Sequence, residues 1–154
     1  MMPNAQPPIT IAEYVTVVIG SQLFGLPIGR VQDVFVLDQI TRVPLAPTDI
    51  AGLINLRGRI VTVIDLKRRL GIVDDIGRGP MAVGIESGGE SYGLVIDNVG
   101  EVLKLGPETA EPLPVNLDDR LKRVASGIHR LDSGLLVVLD VDRLLEFQPT
   151  ELAA

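Results

Sequence analysis

The chain has 154 residues, 46% of them hydrophobic and 22% charged, enough for one globular domain or two very small ones that hold a core without a disulfide or a metal. It has no Cys and a single His, His129, which excludes disulfides, thiol catalysis, Cys-ligated zinc and a His-rich metal site. A formal net charge of −6 argues against nucleic acid, which needs a basic footprint, and aromatics at only 3% leave the core to strand-forming Val, Ile and Leu.

In chain order, residues 1–12 read as a flexible tail. It has no basic n-region and no apolar h-region, so it is not a signal peptide. Glu13 to Gly20 reads as a strand, continued by Leu23 to Pro27 after a Gly20-Ser21 turn, and Val31 to Leu37 as a third. Pro44, Pro47 and Asp49 mark a turn with a helix-cap signal at Thr48 or Asp49. Ala51 to Leu56 and Ile60 to Ile64 are strands around the charged segment Asn55-Leu56-Arg57-Gly58-Arg59, expected to form a buried Arg-Gly corner. Leu66 to Leu70 is a short helix stopped by Gly71, and Val73 to Gly79 is a linker. Met81 to Glu86 and Tyr92 to Ile96 flank the hairpin signal Gly88-Gly89. Gly106 to Pro114 is a Pro-containing connection. Val124 to Leu131 and Leu135 to Leu139 pair across Asp132-Ser133-Gly134, and Val141 to Glu146 ends in a short helix. The longest apolar run, Leu135 to Leu139, is far below the roughly 20 residues of a membrane span.

The pattern repeats. Phe24–Leu37 aligns without gaps on Tyr92–Leu105, with six of fourteen pairs identical: Gly25/Gly93, Leu26/Leu94, Ile28/Ile96, Val31/Val99, Val34/Val102 and Leu37/Leu105. Gly52–Leu70 aligns on Gly127–Leu145, again without a gap, with Gly52/Gly127, Val63/Val138, Asp65/Asp140 and Arg68/Arg143 among the identities. The expectation is an all-β fold of two similar small subdomains, about 13–79 and 80–146, each a sheet closed into a barrel, with a short tail at 147–154.

Several residues invite a chemical role. Symmetry-related Asp65 and Asp140 suggest a paired-carboxylate hydrolase, a distant alternative. Such a dyad needs a Gly-rich loop after each Asp. Here Leu66-Lys67 and Val141-Asp142 follow, and each Asp stands where it caps a helix. An oligonucleotide-binding barrel needs exposed aromatics and a basic groove, and the chain has two Tyr, three Phe and net negative charge. Lys67-Arg68-Arg69 reads as a water-facing cluster at a helix C-terminus, His129 as an ordinary strand residue, and Asp74-Asp75 and Asp118-Asp119 as loop acids. Neither cofactor, metal nor catalytic residue is expected. Val31 and Asp33, two apart on one strand, share a face that offers a carboxylate beside an apolar side chain.

Three blocks resemble the CheW family of bacterial chemotaxis coupling proteins. They are Val31-Gln32-Asp33-Val34 with Thr41-Arg42-Val43-Pro44, Ile50 to Leu66 with Gly52, Asn55, Arg57, Gly58 and Asp65 in place, and Gly93 to Val102 followed by Gly127 to Leu145. Asp33 departs from the pattern, since this position is often Glu in similar proteins. The resemblance implies two five-stranded SH3-like barrels and a non-enzymatic, stand-alone adapter. It implies two partners, the regulatory domain of the CheA histidine kinase and the cytoplasmic hairpin tip of methyl-accepting chemoreceptors. The carried-over kinase-facing residues are Val31, Asp33, Gly52, Arg57 and Gly58. An apolar groove for the receptor draws on Ile28, Val34, Val99 and Val102. No nucleic acid and no membrane insertion are implied. The location is the cytoplasm, with recruitment to membrane-associated receptor arrays. The same role in a CheA-like pathway for pilus motility or development is an alternative.

Overall fold

The computed structural model describes residues 11–73 and 79–146. Eleven strands and three short α-helices are formed by these residues. The strands are β1 (Ala12–Ile19), β2 (Gln22–Pro27), β3 (Val31–Val36), β4 (Ile50–Leu56), β5 (Arg59–Asp65), β6 (Met81–Ser87), β7 (Glu90–Ile96), β8 (Asn98–Leu105), β9 (Ala110–Glu111), β10 (Ala125–Leu131) and β11 (Gly134–Leu139). The helices are α1 (Leu66–Leu70), α2 (Asp119–Val124) and α3 (Val141–Leu144). Residues 1–10 and 147–154 of the tails and residues 74–78 of the linker lie outside the described residues, while Ala12, read as the end of the tail, opens β1.

The strands fall into a six-stranded sheet, β8-β1-β2-β11-β10-β9, and a five-stranded sheet, β3-β6-β7-β5-β4. Under the sequence repeat β1, β2, β3, β4, β5 and α1 correspond to β6, β7, β8, β10, β11 and α3, so the two sheets have the same order. They also share register. Val63 stands opposite Gly93 in the parallel β5/β7 ladder, and its counterpart Val138 stands opposite Gly25 in β11/β2. Val34 opposite Val83 matches Val102 opposite Val15. The bulge between Ile50 and Gly52 recurs between Ala125 and Gly127.

Neither half of the chain contains a whole sheet. The hairpin β1–β2 from the first half inserts between β8 and β11 of the second, and β6–β7 inserts between β3 and β5 of the first. The repeat boundary near residue 79 is thus a boundary in sequence and not between sheets. The main core joins both: Phe24, Leu26, Ile64, Leu66, Leu94, Ile96, Leu139 and Leu144 all pack in it. Each sheet keeps a smaller cluster of its own. Ile54, Val61 and Val63 pack with Phe35 and Leu37 in one, and Leu136, Val138 and Leu105 with Leu103 in the other. Phe35 on edge strand β3 packs against the cluster that also holds Ile54 of the other edge strand, β4.

Two local expectations change. No helix follows Thr48 or Asp49; β4 begins at Ile50, and the Asp49 carboxylate meets Arg69 at 3.4 Å instead. Asp118 is not a plain loop acid. It caps α2, its Oδ1 accepting from the Arg120 N–H at 2.8 Å. That helix runs straight into β10, and the sequence reading had no helix there.

Candidate functional site

The Arg57-Gly58 corner is the two-residue link of the β4–β5 hairpin. Leu56 stands opposite Arg59, and Arg57 and Gly58 have φ of 54° and 84°. Positive φ at both central residues is the turn whose twist matches the flanking strands. The Asn55 side-chain oxygen accepts from the Gly58 N–H at 2.9 Å and closes it. The corner is exposed, not buried, because both flanking strands run out beyond the core. Gly supplies positive φ freely, whereas Arg in the left-handed region costs about 1–2 kcal/mol. Among the described residues Arg57 makes no hydrogen bond and no salt bridge, and Asp65, a conceivable partner, is engaged by Arg68. Among the described residues Arg57 therefore does not brace its own turn.

Gly52 lies behind this corner, buried, with φ of 149°. A Cβ there would overlap the Thr41 carbonyl oxygen, which pairs with the Leu53 N–H at 2.8 Å. Gly52 therefore shapes the surface and does not form part of it. Val31 and Asp33 do share a face, with Phe35, but it is the half-buried one; Gln32, Val34 and Val36 point out. The Asp33 carboxylate occupies the space a Cβ on Gly84 would fill. Ile28, Val34 and Val102 are exposed at 42%, 38% and 48%, while Val99 is half-buried against the main core. Val34 and Val102 are repeat-related and sit on the edge strands β3 and β8 of different sheets.

Asp65 and Asp140 are helix caps. Asp65 Oδ1 accepts from the Arg68 N–H at 3.4 Å, and Asp140 Oδ1 from the Arg143 N–H at 3.1 Å. Arg68 and Arg143 then reach back to the same carboxylates at 3.7 and 3.6 Å. Each carboxylate is thus tied to its own helix. The basic run departs from expectation. Arg68 does face water, but the side chains of Lys67 and Arg69 are each only 11% exposed. Lys67 pairs with Asp97 at 3.1 Å, and Asp97 also accepts from the Gly20 N–H. Arg69 donates to the carbonyls of Leu144 and Glu146, satisfying the open end of α3. His129 occupies the place of Ile54 in the second sheet and is nearly buried, its Nδ1 2.8 Å from the Thr109 hydroxyl. Among the described residues no group of three or more His, Asp or Glu could hold a metal, and no helix is long and apolar enough to cross a membrane.

The CheW-like domain model matches residues 13–148, almost the whole of this architecture. The chain belongs to the CheW-like family. It is 29% identical to the chemotaxis protein CheW of Klebsiella aerogenes over 143 residues, covering 91% of this chain and 85% of that protein. It is 29% identical to the CheW of Thermotoga maritima, covering 83% of each. The crystal structure of the scaffolding protein TtCheW from Thermoanaerobacter tengcongensis superposes with a TM-score of 0.77 at 30% identity, over 93% of this chain and 98% of that one. Membership in the CheW-like family gives the chain the role of a chemotaxis adapter that couples receptors to CheA.

Proposed function

We propose that this CheW-like chain holds the regulatory domain of CheA against the surface formed by Val31, Asp33 and the Arg57-Gly58 corner, with Gly52 shaping it from behind. The cytoplasmic hairpin tip of methyl-accepting chemoreceptors packs on the apolar surface of Ile28, Val34, Val99 and Val102, a helix seated by its stripe of side chains. The protein works in the cytoplasm, recruited to membrane-associated receptor arrays, and performs no catalysis. By fixing the geometry of the two partners it lets receptor state bias kinase conformation.

The observation that carries this reading is Arg57. A cationic side chain held at positive φ on an exposed turn, bonded to nothing in the described chain, is a cost without an internal return. Backbone strain kept at an exposed site points to function. A guanidinium offers a planar fork for a partner's carboxylate or carbonyl.

Asp33→Lys tests the part of the proposed surface that lies on β3. The Asp33 carboxylate already fills the space over Gly84, so the longer Lys must turn outward, and a thermal melt beside the titration separates a lost contact from a disturbed strand. One interfacial charge is reversed, and titration calorimetry with the CheA regulatory domain should show binding weakened about tenfold or more, roughly 1.4 kcal/mol. Unchanged binding removes β3 from the contact.

A further inference from the structure

We propose that the groove between α1, α2 and α3 is a docking site for an acidic peptide segment of a partner protein, separate from the surfaces assigned to the kinase and the receptor. The groove encloses about 1630 Å³. Its lining includes Lys67, Arg68, Arg69, Arg120, Arg123 and Arg143, six of the fourteen basic residues of a chain whose net charge is −6. Of the four acids among its described lining residues, three already serve the fold: Asp65 and Asp118 cap helices, and Asp49 meets Arg69.

Three cations are open to a ligand. The side chain of Arg68 is 63% exposed and that of Arg143 57%, each held only by a long contact to its own capping Asp. Arg123 is exposed and has no hydrogen bond or salt bridge among the described residues. Arg68 and Arg143 are equivalent under the repeat, so the two copies of one motif present matching guanidinium groups to a single groove, with α2 adding Arg123.

The chemistry selects the occupant. Guanidinium forks match carboxylates bidentately. Among the described residues no aromatic side chain lines the groove to stack on a base. The cations line a concavity, which a peptide chain enters and a flat bilayer surface does not. The acidic remainder of the protein does not repel such a segment at distance, since charges are screened beyond about 8 Å at physiological ionic strength.

The test uses the full chain and a fluorescein-labelled octaglutamate peptide, followed by fluorescence anisotropy. Binding is expected to fall steeply with added salt and to drop at least tenfold in the Arg68→Gln/Arg123→Gln/Arg143→Gln variant. If that variant melts early, Arg123→Glu alone serves, because Arg123 has no hydrogen bond or salt bridge among the described residues. The Nε–H resonances of these three arginines are expected to shift on titration, with phosphatidylserine vesicles and inorganic phosphate binding more weakly than the peptide. No peptide binding, binding unchanged by the substitutions, or capture of vesicles or phosphate in preference to the peptide overturns the proposal. A parallel loss of CheA regulatory-domain binding in the variants also overturns it, because the groove then belongs to the kinase contact.

Discussion

Two salt bridges occupy matching places in the two halves of the molecule with opposite polarity. Lys67 on α1 reaches Asp97, in the link between β7 and β8; Asp142, its counterpart on α3, reaches Arg30, in the link between β2 and β3. Each ties the helix of one half to the hairpin exit of the other. The fold therefore demands a tie at this place and is indifferent to which end carries the positive charge. Burial differs sharply. The Lys67–Asp97 side chains are 11% and 17% exposed, those of Arg30 and Asp142 32% and 69%. The inserted hairpins explain why a tie is needed at all. Each sheet is completed by strands from the other half, so the halves separate only if both sheets break.

The strongest way to break this comparison is at its glycines. Gly52 and Gly127 form the same bulge, but a Cβ at Gly52 meets the Thr41 carbonyl at positive φ, whereas at Gly127 nothing lies within 4 Å. Gly52→Ala adds backbone strain to overpacking and is expected to cost about 2–5 kcal/mol. Gly127→Ala should leave the denaturant midpoint close to the parent, and equal losses at both sites would refute the asymmetry.

The next largest effect concerns the ties. Asp97→Asn removes the carboxylate charge that meets the largely buried Lys67 ammonium and weakens the acceptor for the Gly20 N–H, so a loss of about 1.5–3 kcal/mol is expected in chemical denaturation. Asp142→Asn, on the exposed pair, is expected to shift the midpoint barely. If the exposed pair proves the costlier one to break, burial does not rank these ties.

Smaller and equal effects are expected at the caps. Asp65→Ala and Asp140→Ala each remove one cap of the same geometry, at about 0.5–2 kcal/mol apiece by thermal melts. A large difference between them would mean that one Asp does something its counterpart does not.

The smallest effect is a pH dependence. The hydrogen bond and charge of Arg30 hold the Asp142 carboxyl below its ordinary value of 3.8. A depressed folded-state value means that the contribution is fully present above the ordinary carboxylate range and is lost as pH falls through the lowered value. Carboxyl NMR titration of Asp142 should give a midpoint below 3.8, moving back up in Arg30→Gln.

Much of this was legible in the sequence. Gapless identities such as Gly25/Gly93 and Asp65/Asp140 exposed the repeat, and apolar alternation with Gly turns placed most strands. Pairing was not legible, because a repeat does not say which copy a strand joins; β1 fits β8 and β3 fits β6 through the same residue types. The burial of Lys67 and Arg69 escaped for a related reason. Their partners Asp97 and Leu144 lie far along the chain, and a basic run on a short helix otherwise reads as a solvated face. The helix α2 was hidden by its length, six residues with one buried side chain, Val124. The Arg57 corner was visible as a motif, but its exposure was not, since that depends on how far β4 and β5 run beyond the core. The carboxylate of Asp33 lying over Gly84 needed the cross-strand register, which only the fold supplies.

The most direct test of the adapter account is Arg57→Gly, measured by calorimetric titration with the CheA regulatory domain beside a thermal melt. Glycine relieves the positive φ, and Arg57 has no bond in the described chain to lose, so the melting temperature is expected to stay level or rise. Kinase-domain binding is expected to weaken about tenfold or more, because the lost side chain is the one offered to the partner. Binding that survives intact, or a melting temperature that falls in step with it, would contradict the account.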